Sequence, residues 1–404
     1  MWYAGIDWAD DHHDLVVLDE PGRQVRTLRV AHTPAGLAHL TAALEQICGS
    51  DAKLQLACFV ETNRGLLIAA LLEAGFPVYP VNPKTVDRRR NAAGVKTDQV
   101  DAYLLAKTGR SDLADLRPLT PDSPLIAELK VLSRDQDSLI VSQTRILNQL
   151  TACLKAYYPV ALTLFAKLHQ QSTIAFLRAY PTPQDAMASS EAAIAAILKQ
   201  AGHTRAAQAA ATIAQTLHQP HLLADAVTTR TKARLMLALL AQLGPLMQQI
   251  AAYDTEIERL FLMSADSGLF ASLPRAGKRL APRLLAEIGD DRSRYTDAAA
   301  LQALSGTAPV CFESGKYARA HRRYACLKPL RNAMQHFAWQ STLQEPWALA
   351  YYQRKRAEGK SHSVALRSLA NVWLRIIYAM WRDHTPYVRP TFQAAQEQHM
   401  RKAA

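Results

Sequence analysis

The chain has 404 residues, 49% of them hydrophobic, and a formal charge of +12. That length holds two or three domains with substantial cores, and the apolar content excludes a disordered polypeptide. The positive excess predicts a polyanionic partner, and it is uneven, because residues 271–360 hold 16 Lys and Arg against 7 Asp and Glu. The five cysteines form no CxxC pair and fit no zinc spacing, which excludes a zinc module and predicts a reduced, cytoplasmic protein. The opening MWYAGIDWADD has neither a basic nor an apolar leader segment, so no signal peptide is expected. No run of about 18 apolar residues is evident, and a membrane partner is not expected.

Residues 1–120 are predicted to form one α/β domain with the order β-β-β-α-β-α-β-α-α. Residues 2–7 are a short apolar strand ending in Asp7, and residues 14–19 and 25–30 flank a Pro21-Gly22 turn as a hairpin. Residues 34–48 have helical spacing. Residues 54–60 are nearly all apolar, as suits a central strand, and lead into Glu61. A helix over 66–74, a buried strand over 77–81 and a basic helix with Arg88, Arg89 and Arg90 follow. After Asn91 and Gly94, Thr97 is a good N-cap for a helix reaching Gly109.

Asp98 and Asp101 stand three apart and so project from one face of that last helix, while Val100, Leu104 and Leu105 turn toward a core. A helix N-terminus favours acids in any case. Strand ends in α/β sheets are where ligand crevices lie, however, and Asp7, Glu61, Asp98 and Asp101 can converge there. Four clustered carboxylates need cations. A pair of Mg²⁺ ions would neutralise them, and two metals about 3.5–4 Å apart clamp the attacking and leaving oxygens in phosphoryl transfer. Asp10, Asp11 and Asp14 read as surface acids.

Gly5-Ile6-Asp7, Glu61-Thr62 and KTDQVDA at residues 96–102 resemble the N-terminal domain of the DEDD transposases. These are the recombinases of circle-forming insertion sequences, related to the Piv-type DNA invertases. The resemblance implies a ribonuclease H-like (RuvC-like) fold. It also implies divalent metal, Mg²⁺ with Mn²⁺ as a substitute, held by Asp7, Glu61, Asp98 and Asp101.

Residues 121–264 read as a helical, coiled-coil middle. A leucine seam over 124–158 carries Arg134, Asp135 and Asp137 among its members. An Ala-rich helix covers 191–214, and a second long helical stretch covers 226–262 with a kink or break at Gly244-Pro245. The imperfect heptads predict an antiparallel helical hairpin that acts as a spacer.

Residues 265–390 are predicted to be mainly α-helical, with a tail at 391–404. Residues 270–287 read as two helices around Gly277, a turn that can offer backbone N–H groups to phosphate beside Lys278 and Arg279. Ala308-Pro309, Ser314-Gly315, a basic segment with Lys316, Arg319, Arg322 and Arg323, and Leu330-Arg331 resemble the second domain of the same family. Where that family has Pro-Gly-Ile-Gly, this chain has Pro274-Arg275-Ala276-Gly277. The resemblance implies that Ser314 is a nucleophile on DNA, with Ser305 the weaker candidate. A serine hydroxyl needs activation, and guanidinium groups can hold the phosphate. His321, read as part of a basic helix, is one candidate base. Trp347, Tyr351 and Tyr352 interleaved with Arg354, Lys355, Arg356 and Lys360 suit either nucleic acid or a helix with core aromatics. Residues 363–382 read as an amphipathic packing helix.

The expectation is therefore a transposase that excises and inserts its element by metal-assisted serine attack on DNA. The resemblance adds a structured guide (bridge) RNA, a dimeric or tetrameric assembly and a nucleoid-associated bacterial setting. The alternatives are a metal-dependent junction endonuclease using water, a DNA invertase of the same family, and a non-enzymatic basic scaffold.

Overall fold

The computed structural model describes residues 1–93, 97–315 and 317–390; of these, the side chains of residues 90–93 are left undescribed. Arg90 (as a side chain), Lys316 and the tail at 391–404 therefore lie outside the described residues. The chain packs as two units, Met1–Pro121 and Asp122–Ala404.

The first unit is built on a five-stranded mixed sheet. Its strands are β1 (Trp2–Trp8), β2 (His12–Leu18), β3 (Gln24–Ala31), β4 (Leu56–Val60) and β5 (Val78–Pro80), in the order β3-β2-β1-β4-β5. Tight connections make β1, β2 and β3 antiparallel, whereas the longer crossovers make β4 parallel to β1 and β5 parallel to β4. The crossovers contain α1 (Pro34–Cys48) and α2 (Leu66–Glu73); α3 (Pro83–Ala93) and α4 (Asp98–Asp112) follow. Alternation divides β1 between two cores. Ala4 and Ile6 pack with Leu40, Leu44, Leu67 and Leu71 on one face. Tyr3 packs with Phe59, Ala102, Leu105 and Ala106 on the other. Because both faces are covered, every residue of β4 is buried. This strand starts later than its apolar run suggests, since Ser50–Gln55 forms a 3-10 turn that leaves Leu54 exposed.

The contact between α4 and β1 is a backbone contact. A Cβ added at Gly5 would lie 2.0 Å from the carbonyl oxygen of Ala102 and 2.4 Å from the backbone nitrogen of Ala106. Farther along α4, a Cβ on Gly109 would lie 2.3 Å from the Phe59 ring. Small residues at both points let the helix lie flat on the sheet. Replacing Gly5 with Ala forces backbone apart, so Gly5→Ala is expected to cost about 3 kcal/mol or more, the upper end of overpacking penalties. At Gly268 an added Cβ meets nothing within 4 Å, so Gly268→Ala should change stability by less than about 1 kcal/mol. Urea unfolding of the two variants checks the difference.

Among its described residues, the second unit's regular structure is helical apart from one hairpin. Two long helices, α5 (Pro124–Tyr157) and, after five shorter helices, α11 (Ala226–Met263), run antiparallel. The shorter ones are α6 (Ala161–Leu164), α7 (Gln171–Ala179), α8 (Pro183–Met187), α9 (Glu191–Gln200) and α10 (Ala206–Leu217). Gln136 donates to Asp254 (2.8 Å) toward one end of the long pair, and the Cys153 thiol meets the Lys232 carbonyl (3.4 Å) toward the other. At that second end, α6 to α10 close a core around Leu154, Tyr157, Phe176 and Leu240. At the first end, the same two helices share a core with α12 (Ser267–Ala271), α13 (Gly277–Ile288), α14 (Ala298–Leu304), α15 (Lys328–Thr342), α16 (Pro346–Ala357) and α17 (His362–Arg382). Trp347 belongs to that core, its ring 4.8 Å from Trp373, so this aromatic of α16 is a packing residue.

Three sequence expectations are refined or corrected here. The helix is continuous through Gly244-Pro245 rather than broken, and Arg178 donates to the nearby Leu240 carbonyl (3.1 Å). Within α11 there is an 18-residue window apolar and long enough to cross a membrane. Met236, Leu239, Leu240 and Leu243 of this helix are buried in the core just described, so tertiary packing accounts for part of its apolar character. The basic segment around His321 is not helical: β6 (Val310–Ser314) and β7 (Tyr317–His321) pair as an antiparallel hairpin.

Two of the charged residues within the α5 seam, Arg134 and Asp137, are tied across to α13, while Asp135 is exposed. Arg134 donates twice to Glu287 (2.7 and 2.8 Å), whose side chain is fully buried, and Arg283 donates twice to Asp137 (2.8 and 2.9 Å). Removing one partner strands a buried charge. Arg134→Met is expected to destabilise by about 3–5 kcal/mol, and the double variant Arg134→Met/Glu287→Leu to recover most of that loss in thermal unfolding.

Candidate metal centre and nucleic-acid surface

Strand register places a row of charges along the sheet face that α4 covers. Asp7 shares this face with Tyr3 and Gly5, and Asp14 of β2 is its direct cross-strand partner. Arg29 of β3 is opposite Asp14 in turn. On the other side Ile6 pairs with Val60, and Glu61 follows immediately. The row therefore runs Arg29, Asp14, Asp7, Glu61.

Helix α4 adds the remaining acids. The Thr97 side chain caps its N-terminus by accepting from the Val100 N–H (3.2 Å), which puts Asp98 and Asp101 in the first turn. Asp101 is buried and Asp98 exposed. Burial, and then the charges of Asp101, Asp98, Glu61 and Asp14, push the Asp7 carboxyl up to about 6, so the four expected acids share one electrostatic neighbourhood. Like charges acting on one carboxyl disfavour the fully ionised cluster without a counter-cation.

Asp14 is a correction. Expected on the surface, it is only 5% exposed and part of the cluster. Arg29 grips it through two hydrogen bonds (3.0 and 2.8 Å) and also reaches Asp98 (3.3 Å). His12 stands beside them, with Nε2 3.3 Å from an Asp98 oxygen and 3.5 Å from Asp14, while Nδ1 is 2.7 Å from Asp11. The bond to Asp11, then that to Asp98, raise the imidazole's proton affinity. His12, Asp14 and Asp98 each offer a ligand atom within 4.8 Å of the others. The donor set is carboxylate oxygen with one imidazole, which fits a hard divalent cation. The raised proton affinity of Asp7 is the electrostatic strain that such a cation would relieve.

The expected basic residues divide by what they touch. Arg89 is a structural clamp that bonds Thr108, Ser111 and, through two bonds, Asp112 on α4, whereas Arg88 is exposed. At the start of α13, Lys278 pairs with Glu258 (2.7 Å) and Arg279 with Asp254 (2.6 Å). Arg323 reaches the Ala308 carbonyl (3.4 Å) and Arg331 the Cys326 sulfur (3.6 Å). Arg319 and Arg322 are exposed on and just after β7. Arg367 of α17 was not anticipated. Burial, then the charges of Arg322 and Arg331, lower its proton affinity, so several guanidinium groups crowd one region.

Ser314 ends β6 in an exposed position, and Gly315 (φ +57°) opens the turn to Tyr317. A tight hairpin turn demands positive φ there. Ser305 is fully buried, bonded to the Gln302 carbonyl (2.9 Å) and to Thr307 (3.0 Å), so its hydroxyl serves the fold. His321 pairs with Val310 at the far end of the hairpin from Ser314. Four residues of strand, roughly 13 Å, separate them, which removes His321 as a direct base for Ser314.

The mixed sheet with its covering helices makes the first unit an α/β domain, with acids at the ends of two neighbouring parallel strands and at one helix N-terminus. Comparison with known proteins makes this specific. Residues 4–159 match the DEDD transposase model of the IS110 type, and residues 267–353 match the transposase model of the IS116/IS110/IS902 family. The protein assigned as the mini-circle transposase for IS117 of Streptomyces coelicolor is 33% identical over 380 residues, 92% of each chain. The 42 kDa protein of insertion element IS900 of Mycobacterium paratuberculosis is 28% identical, covering 97% of this chain and 98% of its own. This chain belongs to the IS110/IS116 family of transposases.

The acid cluster has a pH signature. Asp7 binds its proton more tightly in the folded state (about 6) than at its ordinary value of 3.8. Its contribution to stability is therefore full below about pH 4 and is lost as pH rises to about 6. In metal-free buffer, wild type should lose more melting temperature between pH 4 and pH 7 than Asp7→Asn does. Added Mg²⁺ should restore the loss in wild type only. Parallel curves for the two proteins would show that the strain is not centred on Asp7.

Proposed function

We propose that the protein excises and inserts its element by joining DNA transiently to Ser314, with the acid cluster supplying divalent-cation chemistry. What supports this reading is that the two matched segments are both transposase segments, with the charges of Glu61, Asp98 and Asp101 all acting on Asp7 in the first of them. The five-stranded order with acids at the ends of β1 and β4 supports a ribonuclease H-like, RuvC-like fold for residues 1–120. In this reading residues 121–264 are an assembly region and residues 265–390 the serine-bearing domain.

Asp7, Glu61, Asp98 and Asp101 would hold a pair of Mg²⁺ ions, with Mn²⁺ as a substitute. When bound, such a pair neutralises charge on the attacking and leaving oxygens of a phosphodiester. Asp14, held by Arg29, positions Asp98 through their shared guanidinium. Ser314 Oγ attacks phosphorus, the Ser–O–P bond forms as the bond to the leaving sugar oxygen breaks, and that oxygen takes up a proton. The serine proton passes to a base other than His321. Arg319, Arg322, Arg323 and Arg331 balance phosphate charge nearby, with Lys316 adjacent in sequence. Arg88 and Arg90 extend the DNA contact on the first unit. Lys278 and Arg279 contribute once phosphate displaces their carboxylate partners.

Double-stranded DNA is the substrate, a guide RNA directs the protein to it, and a dimer or tetramer acts. The five cysteines are free thiols, which suits a reducing, cytoplasmic and nucleoid-associated setting. The family matches do not favour the junction-nuclease or invertase alternatives.

The test is an adduct trap with protein, Mg²⁺, element-end DNA and the adjacent transcript. Covalent protein–DNA product is expected in wild type, with loss of at least about 10³-fold in Ser314→Ala and in Asp98→Ala. Cleavage without adduct in wild type, retained in Ser314→Ala, would instead assign the attack to water.

A further inference from the structure

The β6–β7 hairpin has two unlike faces. Alternation puts Val310, Phe312 and Ser314 on one side, and register sets His321, Arg319 and Tyr317 opposite them. The other side carries Cys311, Glu313, Ala318 and Ala320, which are small or acidic. On the serine side, Phe312 is 55% exposed and Tyr317 47%, and Tyr324 just beyond the hairpin is 72% exposed. Three large aromatics exposed together are unusual on a surface with no binding role.

These rings form a shaped site. Val310, Phe312, Tyr317, His321, Arg322 and Tyr324 line an open pocket of about 510 Å³, within the range of about 300–1,000 Å³ that holds nucleotide-sized ligands. The His321 ring meets Phe312 edge-on at 5.0 Å, which fixes the Phe312 plane. Arg319 lies 5.5 Å from the centre of the Tyr317 ring and Arg322 5.4 Å from that of Tyr324. Flat π-faces bordered by guanidinium groups match a nucleic-acid strand with bases available for stacking. A paired duplex offers no such faces, because its bases already stack on one another. The cations argue against an apolar protein partner.

We propose that this face of the hairpin is a stacking platform for an unpaired segment of a DNA strand, held beside Ser314. The choice of DNA rests on the reading of Ser314 as a DNA-joining residue, since both lie on one face. Holding bases out of the duplex exposes the sugar-phosphate backbone at the point of attack, so the platform selects a distorted strand.

The experiment measures binding of the full-length protein, without divalent metal, to three probes. These are a paired duplex, the same duplex with a mismatch bubble containing 2-aminopurine, and RNA of the bubble's sequence. Wild type should bind the bubble more tightly than the duplex and quench the fluorescent base. Phe312→Ala and Tyr317→Ala should each lose bubble affinity roughly five- to hundredfold, the effect of one lost stacked base, with duplex affinity unchanged. Phe312→Trp should keep the preference, and its retention separates lost stacking from a misfolded hairpin. Ser314→Ala should also keep it, so the platform stands or falls independently of the adduct trap. Equal wild-type affinity for bubble and duplex would overturn the proposal. So would a proportional loss on both probes in the alanine variants, or a loss confined to the RNA.

Discussion

The first unit depends on the place where two backbones touch. Gly5 lets α4 rest on β1 at a separation that no side chain permits, and Gly109 does the same against Phe59. With the helix seated there, its first turn overhangs the end of β1, and the Thr97 cap fixes where that turn begins. A displacement of even an ångström or two would carry Asp98 and Asp101 away from Asp7 and weaken cooperation among the carboxylates. Packing of the smallest residues thus sets the geometry of the most highly charged ones.

Charge is managed differently in the two units. In the first, acids outnumber their local partners at one point, and Arg29 and His12 compensate only in part. Burial, and then the residual repulsion, raise the proton affinity of Asp7, a cost that a bound cation would relieve. In the second, buried carboxylates are fully matched. Glu287 has Arg134, and Asp266 has Arg292 at 2.6 Å together with the Trp381 N–H at 3.0 Å. Surplus cations remain on the surface around Arg322, Arg331 and Arg367. Under the proposed function the first unit would hold metal and the second would hold phosphate, the two tasks that phosphoryl transfer on DNA requires.

Several basic residues that look alike in sequence have different tasks once folded. Arg89 joins α3 to α4, and Arg279 joins α13 to α11, whereas Arg319 and Arg322 face solvent beside aromatic rings. A basic residue near a family motif is therefore a poor guide to DNA contact by itself. An arginine that already satisfies its planar fork on a carboxylate must give up those hydrogen bonds before it can hold phosphate.

Much of this was legible in the residues alone. Apolar runs, turn signals and period-3.6 patterns located β1 to β5, α1 to α5, α11 and α17. The four acids were found from their positions at strand ends and a helix cap, together with their family motifs. Asp14, His12 and Arg29 were not found, because their meeting depends on strand register across β1, β2 and β3, which local spacing does not encode. The hairpin at residues 310–321 was read as a basic, partly helical segment, since Arg-rich short runs carry little periodic signal. Its aromatic face emerged only when Ser314 and Tyr317 were paired. Sequence by itself determined most of the elements, the positions of the motif acids along the chain and the concentration of positive charge. Tertiary structure decided which charges neutralise one another and which remain for a ligand, because that depends on distances between residues far apart in the chain.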